Sequence, residues 1–125
     1  MNISKKKFEE LVAETIENLP KKFRDKLYNV AIFTEDCPGN EQLKKLGMRR
    51  GEALLGLFEG YAQAKRLNFG PVLPDRITIF RQSIRKYCSS EQEIKQKIAN
   101  TVKHEIAHHF GSGERGAGMA GRRSP

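Results

Sequence analysis

Apolar residues recur every three or four positions near the start of the chain, over Ser4–Leu19. This spacing predicts an amphipathic helix, with Ser4 as its N-cap and Pro20 interrupting the pattern. Pro20 also suits the first position of a second, short helix. The run Val30–Thr34 that follows is rich in β-branched and aromatic residues, which predicts a strand closed by a loop at Glu35–Asn40.

The middle of the chain has a weaker pattern. Glu41–Leu46 predicts a helical turn, and Ala53–Tyr61 predicts a short strand near a bend because glycines fall inside it. Arg76–Arg81 alternates polar and apolar residues and carries β-branched side chains, so it gives the strongest strand prediction. Because its polar positions suit exposure and Pro74 precedes it, we expect this strand to lie at the edge of its sheet.

The last predicted element is a long helix. Ser90 and the glutamate three residues later form a capping box, and the helix extends to about Phe110, where a glycine follows. Its apolar stripe consists of Ile94, Ile98, Val102 and Ile106. Beyond the helix the chain is rich in glycine and has almost nothing to bury. We therefore expect one domain over residues 1–114 and a flexible basic tail over 115–125.

Length, charge and cysteine content favour a soluble, single-domain protein. The chain has 125 residues, with 23 Lys and Arg against 15 Asp and Glu, for a net charge of +8. This length fits one domain, and no apolar run approaches the ~20 residues of a membrane helix. No export signal is seen, and Cys37 and Cys88 form no C-x-x-C pair, which favours a reduced, cytoplasmic protein. The basic residues are dispersed, which favours a soluble surface; binding of nucleic acid or an acidic partner is the alternative.

The three histidines all lie within the six residues 104–109. His104 and His108 are four residues apart on the predicted helix, so they share a face and their imidazoles can reach one Zn²⁺. Glu105 lies about 100° further round the helix, where it can reach a water bound to the metal. This is the H-E-x-x-H arrangement. His109 falls within the apolar stripe, which predicts a role in packing or in supporting the ligands.

The third metal ligand has several candidates. A catalytic zinc usually takes three protein ligands, and the chain has no fourth histidine. A turn at Gly111 would return Glu114 towards the metal, although an exposed glutamate in the tail is the alternative interpretation. Four other residues carry suitable donor atoms: Cys88, Glu59, Asp75 and Glu52.

The sequence resembles the small bacterial zincin-like metallopeptidases over residues 5 to about 114. Four segments carry the resemblance: Asn29–Ile32, Leu54–Gly60, Leu73–Arg81 and Thr101–Gly111. It implies an α+β fold, a minimal zincin with a small mixed sheet packed against the active-site helix and an N-terminal helix. It also implies His104 and His108 as zinc ligands, Glu105 as general base, and Glu114 as third ligand, where members typically carry Asp.

Two functions follow as hypotheses. The first is a zinc peptidase acting on a peptide or protein, in which Glu105 takes a proton from the attacking water. Four residues of the expected edge strand would then pair with the extended substrate: Arg76, Ile77, Thr78 and Ile79. The second is a non-catalytic basic module that binds nucleic acid or an acidic protein and whose metal site is structural or vestigial.

Overall fold

The fold is given by a computed structural model, which describes residues 1–47, 54–60 and 74–110. In chain order the elements are α1 (Lys5–Glu17), α2 (Lys21–Lys26), β1 (Val30–Glu35), α3 (Asn40–Lys45), β2 (Gly56–Glu59), β3 (Asp75–Phe80), α4 (Arg81–Arg85) and α5 (Glu91–Phe110). The predicted helices and strands are confirmed to within a few residues, except that α4 was not predicted. The predicted tail over 115–125 lies outside the described residues. None of the helices described is long and apolar enough to cross a membrane.

The three strands form one mixed sheet in the order β1-β3-β2. β1 runs parallel to β3, with Ile32 opposite Ile77, and β2 runs antiparallel to β3, with Phe58 opposite Ile77. β3 is therefore the central strand, and the predicted edge position is wrong. The alternating pattern is misleading because Thr78, on the nominally polar face, is fully buried.

The core lies on one face of this sheet, where α1 and α5 pack. The predicted stripe of α5 is confirmed, since Ile94, Ile98, Val102 and Ile106 have no exposed surface. Ile77 and Ile79 of β3 and Phe8 of α1 are equally buried. Each such isoleucine stabilises the fold by roughly 1.5–3 kcal/mol. Burial of the stripe fixes the rotation of α5 about its axis, and hence the direction of every other side chain on it.

The start of α5 is fixed by its cap. The Glu93 backbone N–H donates to Ser90 Oγ at 3.1 Å, and the Ser89 N–H donates to Glu93 Oε1 at 2.7 Å. Lys95 Nζ, in the second turn of α5, lies 3.2 Å from Glu14 Oε2 of α1. The predicted N-cap at Ser90 is thereby confirmed, whereas the Glu93 carboxylate accepts from the N–H of Ser89 and not from that of Ser90. The three histidines lie at the opposite end of α5.

A glycine allows β2 to approach α5 closely. A Cβ built on Gly56 would lie 2.6 Å from Thr101 Cγ2 on α5 and 3.3 Å from the Thr78 carbonyl oxygen. It would also stand 4.0 Å from Glu105 Cγ. Thr101 is itself buried. The separation between β2 and the histidine-bearing helix therefore depends on the absence of a side chain at residue 56.

We expect Gly56→Ala to lower the free energy of unfolding by about 1–3 kcal/mol, because an added methyl group overpacks this contact. Urea unfolding followed by circular dichroism measures the loss. Gly60→Ala is the matched control, since a Cβ there would meet Phe58 Cε1 at 3.7 Å and Asp75 Oδ1 at 3.9 Å, which are ordinary contacts. Equal stability of Gly56→Ala and Gly60→Ala would contradict the close approach.

Candidate metal centre

The last turns of α5 lie against β2, and Phe58 is the main point of contact. The His109 ring stacks on the Phe58 ring, with centroids 4.2 Å apart and an interplanar angle of 14°. Phe110 meets the same ring edge-on at 5.5 Å. The predicted packing role of His109 is confirmed by this stack. An offset or stacked aromatic pair of this kind contributes about 0.5–1.5 kcal/mol beyond its buried area.

His104 and His108 lie one turn apart on α5, as their spacing predicts. Their ring centroids are 6.1 Å apart. The Nε2 atom of His104 is buried and has no hydrogen-bond partner in the described part of the chain. Leaving such a polar atom unpaired costs about 1–3 kcal/mol. A buried imidazole nitrogen with no protein partner, next to a second imidazole, is suited to a divalent metal ion.

Glu105 follows His104 on the same helix, and only 14% of its side chain is exposed. Burial disfavours the charged carboxylate and raises the pKa of Glu105 to about 7, while a hydrogen bond donated by the Phe58 backbone N–H acts in the opposite direction. A carboxyl group with a pKa near neutrality can both accept and release a proton at physiological pH. That property suits a general base.

His109 brings a further nitrogen to the same region. The donor atoms of Glu105, His108 and His109 all lie within 4.8 Å of one another, whereas His104 stands outside this group. His109 Nε2 is 3.9 Å from Glu105 Oε1. Burial lowers the pKa of His109, as does the charge of His108, and the charge of Asp75 acts against them. The pattern-based interpretation missed this proximity, although the four-residue spacing of Glu105 and His109 indicates it.

Two of the candidate third ligands are placed away from the histidines. Glu59 lies opposite Arg76 in the sheet register and points to the face away from α5, where its Oε1 is 3.6 Å from Arg76 Nε. Cys88 lies beyond the start of α5, roughly 20 Å along the helix from His104, and its Sγ contacts the Ile84 carbonyl oxygen. Both predictions are wrong, because Glu59 points to the face of the sheet away from α5 and Cys88 lies at the end of α5 opposite the histidines.

The positions of Glu59 and Cys88 leave three other candidates for the third ligand, namely Asp75, Glu52 and Glu114. Asp75 lies on the α5 side of β3, since it shares the face of Ile77, and its charge acts on His109. Glu52 and Glu114 lie outside the described residues, so their ligand roles stay predictions. Three candidates for the third ligand are therefore left by the fold.

The predicted substrate strand lies away from these residues. The Arg76 guanidinium sits over the Phe33 ring at 4.3 Å and lies 3.6 Å from both Glu35 and Glu59, on the face opposite α5. Ile77, Thr78 and Ile79 are buried between β1 and β2. The prediction that residues 76–79 pair with substrate is wrong because both edges of β3 already have partner strands.

The raised pKa of Glu105 predicts how stability changes with pH. Because the carboxyl is protonated more readily in the folded than in the unfolded chain, its contribution is fully present below about pH 4.5 and is lost as pH rises through about 7. In chelator-treated protein we expect the wild type to lose up to roughly 3 kcal/mol relative to Glu105→Gln between pH 4.5 and 8. Urea unfolding at several pH values measures this. Glu10→Gln, an exposed change on α1, serves as control, and parallel curves for wild type and Glu105→Gln would refute the assignment.

Comparison with known proteins gives a family. The model of the zincin-like metallopeptidase family matches residues 27–117. Among solved structures, a conserved hypothetical protein from Thermo thermophilus is similar in fold, with a TM-score of 0.54 and 23% identity over 93% of this chain and 99% of that one. No curated protein matches the chain. Since the family model covers well over half of the sequence, from the residues before β1 to beyond α5, the chain belongs to the zincin-like metallopeptidase family.

Proposed function

We propose that this chain is a zinc-dependent peptidase in which His104 and His108 hold the metal and Glu105 is the general base. The observation that carries the proposal is the buried Nε2 atom of His104, which has no partner among the described residues. It lies on the helix turn that also carries His108 and the buried Glu105 carboxyl. A metal ion would pair a nitrogen that residues 1–47, 54–60 and 74–110 leave unpaired.

The positions of the residues suggest separate roles for the metal ion and for Glu105 in peptide hydrolysis. When bound, zinc supplies a Lewis acid that polarises a peptide carbonyl and acidifies a coordinated water. Glu105 accepts the proton of the attacking water on its carboxylate and later delivers it to the nitrogen of the leaving amine. Only 14% of the Glu105 side chain is exposed, so its carboxyl is largely shielded from bulk water where these proton transfers take place.

The substrate is proposed to lie along β2 instead of β3. β2 is an outer strand of the described sheet and contacts α5. The Phe80 N–H donates to the Leu55 carbonyl oxygen, so by the alternation of an antiparallel ladder the main-chain groups of Gly56 and Phe58 point away from β3. An extended peptide added there would be held by backbone hydrogen bonds directly beside the general base.

The third ligand is proposed to be Glu114 or Asp75. Glu114 is the residue that the family resemblance implies, and Asp75 lies on the face of the sheet that packs against α5.

A cytoplasmic location is a further proposal, supported by the two cysteines of the chain, which are both free thiols. The alternative function, a basic module that binds nucleic acid, stays a prediction. It requires salt-sensitive retention on nucleic acid that survives the loss of both His104 and His108.

We expect Glu105→Gln to reduce peptide hydrolysis by at least about 10²-fold while zinc content stays at the wild-type level, because the change removes a base and leaves the imidazoles intact. Hydrolysis of a mixed peptide library, followed by mass spectrometry, and metal analysis of the same samples are the measurements. The double variant His104→Ala, His108→Ala should lose both zinc and hydrolysis, because it removes both proposed imidazole ligands.

Glu10→Gln is the matched control for this experiment, since it makes the same chemical change on the exposed face of α1. Its hydrolysis should equal that of the wild type. Undiminished hydrolysis by Glu105→Gln would rule out the assigned base. Unchanged zinc content in the double His104→Ala, His108→Ala variant would rule out the metal ligands.

Binding of an uncleaved substrate should reveal the strand that it joins. When a substrate peptide is titrated into zinc-loaded Glu105→Gln, we expect amide NMR shifts in Gly56–Glu59, because their outer edge accepts the peptide. Val30–Glu35 in β1, the other outer strand of the described sheet, is the internal reference and should not shift. Shifts confined to β1 would place the substrate at the opposite edge of the sheet and would contradict this proposal.

A further inference from the structure

We infer that Glu105, His108 and His109 form a second donor set for a divalent transition-metal ion, which overlaps the His104–His108 pair and takes up the general base when it is filled. Neither the family relationship nor the H-E-x-x-H spacing assigns a ligand role to His109. The binding stands on the geometry of three side chains, whereas its consequence for hydrolysis rests on the proposed function.

The first support is the distance between the donors. All three donor atoms lie within 4.8 Å of one another, and they come from positions i, i+3 and i+4 of one helix. Two donors bonded to one zinc ion at 2.0–2.1 Å in tetrahedral geometry stand about 3.3 Å apart. Closing the set around an ion therefore requires side-chain shifts of no more than about 1.5 Å.

The second support is that two of the donors are restricted by packing. The His109 ring lies flat on the Phe58 ring, with centroids 4.2 Å apart, and only 14% of the Glu105 side chain is exposed. Side chains that are ordered before binding lose less entropy when the ligand arrives. Phe58 is itself only 8% exposed, so the ring that supports His109 is part of the core.

The third support is that the donors are not engaged with each other. His109 Nε2 and Glu105 Oε1 are 3.9 Å apart, which exceeds the 2.7–3.2 Å range of an N–H···O hydrogen bond. The His108 and His109 rings are tilted by 56° with centroids 4.7 Å apart, so they are not stacked face to face. Two imidazoles and a carboxylate are a donor mixture that Zn²⁺ and Co²⁺ accept.

The consequence follows from the shared residue. Both donor sets use His108. The His104–His108 pair and the second set therefore cannot bind metal ions at the same time. An ion in the second set has Glu105 as a ligand, and a carboxylate whose lone pairs bind a cation no longer accepts a proton from water. Occupation of the second set would therefore switch off the base without removing the metal from the protein.

The test uses the full chain, stripped with chelator, and titrates Zn²⁺ by isothermal calorimetry. His104→Ala should still bind Zn²⁺, because the second set is intact. His104→Ala combined with His109→Phe should bind at least about tenfold more weakly, since even a supporting residue is worth that factor in metal affinity. Phe at residue 109 keeps an aromatic ring on Phe58. His109→Phe alone is the control and should keep the tight binding attributed to His104 and His108.

Two outcomes would overturn the inference. Failure of His104→Ala to bind Zn²⁺ is one, and equal Zn²⁺ affinity of His104→Ala with and without His109→Phe is the other. If the Phe variant does not fold, as judged by circular dichroism, Glu105→Gln in the His104→Ala background tests the same expected loss. Either overturning result leaves hydrolysis by the wild type and its dependence on Glu105 unaffected, so the proposed function is judged separately.

Discussion

The close contact between β2 and α5 is the constraint on which the candidate site depends. It exists because residue 56 has no side chain, which lets the strand approach Thr101 at a distance that a Cβ would not allow. Two residues further along β2, Phe58 then meets His109 and the Glu105 carboxylate. One short strand thus sets the position of the last turns of α5. A small sheet is enough to position these turns, because its outer strand β2 contacts α5 near the histidines.

Phe58 contributes both to the core and to the surroundings of His109 and Glu105. Its ring is part of the core and supports His109, and its backbone N–H lowers the pKa of Glu105. Burial raises the pKa of Glu105 to about 7, and the same N–H opposes that effect by favouring the charged form. The carboxyl is therefore kept near the point where it can exchange a proton at neutral pH. A residue of the strand in this way influences the protonation of a carboxyl group on the helix.

The elements that the sequence predicted well are those whose pattern is local. The stripe of α5 follows the helical period, so its burial and its boundaries were predicted from Ile94 to Ile106. The central strand was predicted as a strand but assigned to the edge. Its alternation is compatible with either position, because the burial of Thr78 depends on elements that meet it from elsewhere in the chain. Helix α4 was missed because five residues carry too little periodic pattern.

By itself, the sequence determined that one helix presents His104, Glu105 and His108 with the spacing of a zinc peptidase, because spacing along a helix fixes direction. Only the tertiary structure decided what faces that turn. It placed β2 beside Glu105, put residues 76–79 at the centre of the sheet, and placed Glu59 and Cys88 away from the histidines. Strand order and helix–strand contacts join residues far apart in sequence, and no local pattern encodes such pairings.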